Sequence, residues 1–297
     1  MHIATIVADK TRLVLDESLL EKLAGVLPGV AGFDWLAPGV AADIAFAPDS
    51  RSPAALETLL RLVRGDLALD IAVQPAAGRR KKLLVADMDS TMIGQECIDE
   101  LGAELGLKAE IAAITERAMR GEIAYEPSLR ERVALLADLE EAVIEKILAE
   151  RIFANPGAEI LVRTMRAHGA HTAIVSSGFT SFTGPVAARL GFHEHRGNRL
   201  LVENGRLVGR VAEPILARDA KVEALRELRE KLGLERQETM AVGDGANDLG
   251  MLVEAGLGVA YRAKPAVAEA ADVRIDFADL TALLYIQGFR GSDFADG

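Results

Sequence analysis

The chain has 297 residues, 50% of them hydrophobic and 27% charged, a globular composition long enough to bury a core without disulfide or metal staples. Lys and Arg number 34 against 45 Asp and Glu, and the net charge of −11 argues against a nucleic acid as the main partner, since Arg79-Arg80-Lys81-Lys82 is the one dense basic run. A single cysteine, Cys97, excludes an intrachain disulfide and a multi-cysteine zinc site, and no apolar run approaches the ~18 residues of a membrane span.

Residues 1–76 read as strand, helix, strand, strand, helix, strand. Ile3 to Ala8 is a short apolar run, and Leu19, Leu20, Leu23 and Leu27 recur at helical spacing. Ala42 to Ala47 is a strand candidate. Leu56, Leu59, Leu60 and Val63 mark another helix, and Leu67 to Val73 a last strand. The βαββαβ order predicts a small ferredoxin-like module. Gln74-Pro75-Ala76-Ala77-Gly78 then punctuates a boundary, so that one domain covers 1–76 and another 77–297. The basic run after it is expected to be a solvated linker. Met1-His2-Ile3-Ala4 has no basic start or long apolar stretch of the signal-peptide kind, so a cytoplasmic protein without membrane contact is expected.

Beyond residue 82, short apolar strands alternate with helices: Leu83 to Ala86, Thr172 to Val175, Thr239 to Gly243, Gly256 to Ala260 and Val273 to Ile275. That alternation predicts a parallel sheet covered on both faces. Residues 94–150 show no strand pattern and read as several helices inserted on the sheet. Asn204-Gly205, between Arg199–Glu203 and Arg206–Val211, signals a type I′ hairpin.

In an open α/β sheet the ligand site lies at the carboxyl ends of the strands. Three strand ends are followed by Asp87-Met88-Asp89-Ser90-Thr91, by Ser176-Ser177-Gly178, and by Gly243-Asp244-Gly245-Ala246-Asn247-Asp248. Four acids at one rim would repel one another, and a hard divalent cation with oxygen ligands, Mg²⁺, relieves this. Lys221, at the start of a helix between the second and third segments, adds a positive charge. The set fits phosphoryl transfer. Asp87 can attack phosphorus to form an aspartyl-phosphate, while Asp89 protonates the leaving oxygen and then activates water.

These four segments resemble the signature motifs of the haloacid-dehalogenase-type phosphatases. The spacing agrees, with Lys221 placed 221 − 176 = 45 residues after Ser176 and Asp244 placed 244 − 221 = 23 residues after Lys221. The helical stretch, about 94–155, is similar to that family's small cap. The resemblance implies a Rossmann-like parallel sheet with a helical cap, preceded here by a ferredoxin-like (ACT-like) α+β module. Glu96 and the stretch Tyr125-Glu126-Pro127-Ser128-Leu129-Arg130-Glu131-Arg132-Val133 resemble the phosphoserine-phosphatase branch in particular.

Carried over, the resemblance implies that Asp87 is nucleophile and Mg²⁺ ligand. It makes Asp89 the general acid and base, with its backbone carbonyl on the metal, and Asp244 the third ligand. Asp248 would hold a metal-bound water or orient Lys221. Ser176, the Ser177 amide and Lys221 would bind the phosphoryl oxygens, and Asn247 would touch that side of the substrate. Glu96 would face the amino group of serine and Arg132 its carboxylate, the pairing a zwitterion needs. Met119 and Tyr125 would pack around the substrate. The implied activity is Mg²⁺-dependent hydrolysis of O-phospho-L-serine, the last step of serine biosynthesis. Two departures stand out: Ser177 occupies a position where the family usually has Gly, and Tyr125 one where Phe is expected. The N-terminal module is similar to amino-acid-binding regulatory domains that pair across a homodimer.

Rival readings are another small phosphomonoester, a phosphotransferase acting on a different acceptor, or a catalytically weak amino-acid-sensing module. A calcium loop starting at Asp87 fails, because its sixth and twelfth positions would be Met92 and Ile98 rather than Gly and Glu. Cys97 reads as a buried, inert thiol, and His193-Glu194-His195 as a solvated loop.

Overall fold

The computed structural model describes residues 1–120 and 122–295, without the side chains of Met119 and Arg218; the packing expected of Met119 therefore lies outside the described residues. The first 75 residues run β1 (His2–Ala8), α1 (Glu17–Ala24), β2 (Val30–Ala37), β3 (Ala41–Phe46), α2 (Pro53–Arg64) and β4 (Leu69–Pro75). The four strands form an antiparallel sheet of order β2-β3-β1-β4, as the ferredoxin-like reading requires. Helix α2 shows why the chain turns where it does. Ser52 caps it by accepting the Ala55 amide, Pro53 opens its first turn, and Gly65, at φ 59°, ends it.

Both faces of this sheet are covered. Ala4, Ile6, Ala42, Ile44, Phe46, Ile71 and Val73 pack under α1 and α2. Val7, Ala41 and Ala72 alternate with them and join the core of the larger body.

That body runs β5 (Leu83–Ala86), α3 (Cys97–Glu104), α4 (Lys108–Met119), α5 (Tyr125–Ala134), α6 (Ala142–Glu150), α7 (Ala158–Ala167), β6 (His171–Phe179), α8 (Thr180–Leu190), β7 (Glu194–Asn198), β8 (Leu200–Glu203), β9 (Arg206–Val211), α9 (Arg218–Lys231), β10 (Thr239–Gly243), α10 (Leu249–Glu254), β11 (Leu257–Tyr261), α11 (Pro265–Ala270), β12 (Val273–Ile275) and α12 (Ala282–Ile286). Six strands make a parallel sheet of order β12-β11-β10-β5-β6-β7. Period two sorts the sheet's side chains. Leu84, Ala86, Ile174, Met240 and Val242 belong to one core layer, and Leu83, Val85, Ala173, Val175 and Ala241 to the other.

Helices α3–α6 are inserted between β5 and α7. The chain leaves and re-enters through a short antiparallel bridge, Ile93 with Ala154, flanked by Gly94 N–H to the Phe153 carbonyl and Asn155 N–H to the Met92 carbonyl. The β8–β9 hairpin turns on Asn204 and Gly205, both at positive φ (51° and 74°), as a type I′ turn demands. Its backbone pairs with the inserted segment, Asp138 N–H bonding the Leu207 carbonyl and Leu207 N–H the Leu139 carbonyl.

Two expectations are corrected. The basic run is a solvated linker only in part. Arg80 and Lys82 are exposed, Arg80 lying over Phe289 at 3.7 Å, but Arg79 is mostly enclosed and pairs with Asp43 at 2.6 Å. The one charge on which both bodies close is the one that is desolvated. His193-Glu194-His195 is not a solvated loop: Glu194 and His195 begin edge strand β7, and the His193 Nδ1 accepts the Thr172 amide.

Candidate active site

Strand β5 is buried along its whole length and delivers Asp87 to the rim. The Met88 amide donates to Asp87 Oδ1 at 2.8 Å, and Lys221 Nζ reaches the same oxygen at 2.7 Å. Lys221, in the first turn of α9, is wholly buried and also meets Asp248 Oδ1 at 2.6 Å. The other Asp248 oxygen accepts the amides of Asp244 (3.2 Å) and Gly245 (3.0 Å). Gly243 makes this possible, since a Cβ there would lie 2.4 Å from Asp248 Cγ.

Asp244 is held from the β5 side, where Thr91 Oγ1 donates to its Oδ1 at 2.8 Å. Asp87, Asp244 and Asp248 each offer an oxygen within 4.8 Å of the others. Burial and the nearby Asp248 charge push Asp87 well above the usual carboxylate range against the pull of Lys221. Burial pushes Asp244 up to about 6, opposed by the Thr91 hydrogen bond. Burial alone would pull Lys221 down, but Asp248 and Asp87 outweigh it and hold the amine above its usual range. Crowded, partly desolvated oxygens of this kind suit a hard divalent cation.

Asp89 stands apart from that cluster. Its Oδ1 accepts the Cys97 amide at 3.2 Å, and Gly178 leaves it room, because a Cβ there would be 2.8 Å from Asp89 Oδ2. Burial, with repulsion from Glu96, pushes Asp89 up to about 7. Cys97 is buried and its thiol is pushed up by the same burial.

A cavity of about 640 Å³ lies between the strand ends and the inserted helices. Asp87, Asp89, Glu96, Arg132, Ser176, Ser177, Asp244 and Asn247 all line it. Lys221 and Asp248 sit behind this wall. Glu96 accepts the Ser90 hydroxyl at 2.6 Å. Arg132, on α5, donates to the Ser128 carbonyl at 3.3 Å and to Thr115 Oγ1 at 3.4 Å. Ser176 Oγ accepts the Gly178 amide at 2.9 Å, which leaves its proton to donate elsewhere. The two departures from the family pattern meet: the Tyr125 hydroxyl donates to the Ser177 carbonyl at 3.2 Å.

Sequence reasoning missed Lys264, which lines the cavity and whose amide donates to the Asp244 carbonyl at 3.2 Å. It follows β11, a strand end to which the same rim rule applies. Thr91 was also left without a role, although it lies in the first motif.

Residues 84–253 match the model of the haloacid dehalogenase-like hydrolases. A phosphoserine phosphatase of Streptomyces coelicolor is 41% identical over 247 residues, covering 82% of this chain, which in turn spans 60% of that protein's length. One of Albidiferax ferrireducens is 49% identical over 208 residues, 68% of this chain and 88% of the relative. The crystal structure of a HAD family hydrolase from Salmonella enterica serovar Typhi aligns with a TM-score of 0.86 at 27% identity, over 96% of this chain and 97% of the other. A family match over more than half of the chain, a shared fold and a rim of the matching residue types lead to one conclusion: the chain belongs to the haloacid dehalogenase-like hydrolases, in the branch of its phosphoserine phosphatase relatives.

Proposed function

We propose that the protein hydrolyses O-phospho-L-serine to L-serine and phosphate, completing serine biosynthesis, with Mg²⁺ and by way of an aspartyl-phosphate on Asp87. The observation that carries this reading is one cavity whose floor holds Asp87, Asp89 and Asp244 and whose inserted wall holds Glu96 and Arg132. A phosphorylated zwitterion presents a dianion, a cation and a carboxylate: Glu96 answers the cation, Arg132 the carboxylate, and a cation held by the floor acids would answer the dianion. The names of the relatives point the same way.

Asp87 Oδ1 is held by Lys221 and the Met88 amide, so Oδ2 is the oxygen that attacks phosphorus. As the P–O bond to serine breaks, protonated Asp89 gives its proton to the seryl oxygen. A water then attacks the aspartyl-phosphate and loses its proton to Asp89, which releases phosphate and restores Asp87. A group pushed up to about 7 serves both directions at neutral pH. Ser176 Oγ, the Ser177 amide, Lys221 and Asn247 would hold the phosphoryl oxygens.

Asp87, the Asp89 carbonyl and Asp244 would hold Mg²⁺, which supplies charge neutralisation at the phosphoryl group when bound. Asp248 has both oxygens committed, to Lys221 and to two amides, so its role is to orient Lys221. The cap of this reading is residues 94–155, closing over the substrate and excluding water.

Phosphate release from O-phosphoserine, with and without Mg²⁺ and against a panel of sugar, nucleotide and aryl phosphates, tests the assignment. Efficient, Mg²⁺-dependent turnover with phosphoserine preferred is expected; preference for another ester would overturn it. Asp87→Asn should cut kcat by about 10³-fold or more, and retained turnover would remove the nucleophile.

A further inference from the structure

Helix α5 begins at Tyr125 and carries Arg132 two turns later, so one rigid element spans from the sheet rim to the cation on the cavity wall. Its attachment to the rim is specific. The Tyr125 hydroxyl donates to the Ser177 carbonyl at 3.2 Å, crossing from the inserted helices to the end of β6. The same carbonyl accepts Asn198 Nδ2 at 2.8 Å. Asn198 is itself buried and fixed, since its Oδ1 accepts the Leu216 amide at 2.7 Å. Both lone pairs of the Ser177 carbonyl are thus used, one by the body and one by the insertion.

Five residues along α5, Arg130 pairs with Glu213, which follows the β8–β9 hairpin. That pair is exposed on both sides, so it contributes little to holding the helix. The phenol is different. It is partly enclosed, and burial pushes it above its usual range, so it stays protonated and able to donate.

We propose that Tyr125 is a positioning residue that latches the inserted helices onto the rim through the Ser177 carbonyl and so sets the span between Arg132 and the groups at Ser176 and Ser177. The latch matters most for a ligand that reaches both walls, with an anion at the rim and a carboxylate at Arg132. This inference rests on the reading of the cavity as a phospho-amino-acid site for its substrate, but not for its geometry.

Tyr125→Phe in the full chain removes one oxygen and keeps the ring. Loss of one hydrogen bond in competition with water predicts a change of about two- to tenfold. KM for O-phosphoserine should rise by that factor with kcat not lowered. The inhibition constant of inorganic phosphate, which touches only the rim, should stay within about twofold. Hydrogen exchange of the first α5 amides, starting with Ser128, whose N–H bonds the Ala124 carbonyl, should quicken by a similar factor. Equal changes for both ligands, a fall in kcat at constant KM, or unchanged exchange would each overturn the latch. If the wild type does not turn over phosphoserine while exchange in the variant quickens, the proposed substrate fails and the latch stands.

Discussion

A fully buried ammonium is costly unless carboxylates surround it, and Lys221 sits between Asp87 and Asp248 at 2.7 and 2.6 Å. Its charge is therefore permanent, and the surplus of acid beside it falls on Asp87 and Asp244. At the proposed Mg²⁺ site that surplus would make binding pH-dependent. Asp244, pushed up to about 6, must lose its proton to act as a ligand, so apparent Mg²⁺ affinity should fall as pH drops through about 6. The rise in Tm produced by Mg²⁺ should shrink over the same range. A thermal-shift titration across that range checks this, and an increment independent of pH would count against Asp244. On the opposite wall, Arg132→Ala should lower kcat/KM for phosphoserine about 10- to 100-fold more than for an aryl phosphate, the worth of a charged hydrogen bond. Parallel assays on the two substrates decide it, and equal losses would detach Arg132 from the carboxylate.

Elements place these residues through close backbone contact. Helix α10 lies against β11 at Gly258, where a Cβ would stand 2.2 Å from the Leu252 carbonyl oxygen. Backbone cannot yield as a side-chain tip can. Gly258→Ala should therefore cost about 1–3 kcal/mol by overpacking, read as a lower urea midpoint with unchanged m. The strands were legible because each buried run is short, apolar and followed at once by polar residues. Leu83 to Ala86 and Thr239 to Gly243 lie where the pattern puts them. Strand β7 was not legible. Its sequence, Glu194-His195-Arg196-Gly197-Asn198, has no apolar alternation, and it is a strand because an edge needs only one neighbour, β6.

For the molecule as a whole, polar anchors dock the N-terminal sheet on the larger body. Arg79 joins Asp43 to the carbonyls of Tyr285 and Ile286, and Asp70 accepts the amides of Asp276, Phe277 and Ala278. The side chains of Arg79 and Asp43 are only 11% and 7% exposed. Arg79→Met leaves a buried carboxylate unpaired and should cost about 3–5 kcal/mol. Calorimetry should then resolve an early transition for residues 1–75, with phosphatase turnover kept below it. A single transition at the wild-type temperature would assign the docking to Asp70 instead.

Chain chemistry could be read from one dimension because strand, rim and motif are local: an apolar run stops, and the reactive side chain is next. The placement of Asp87, Asp89, Ser176 and Asp244 at one rim was legible for that reason, whereas Lys221, inside the first turn of α9, was legible only from its spacing to the motifs. Folding alone brought Tyr125 to Ser177, 52 positions away, and Arg79 to Asp43, 36 away. Such meetings depend on how finished layers pack, and no periodicity within either segment encodes its partner.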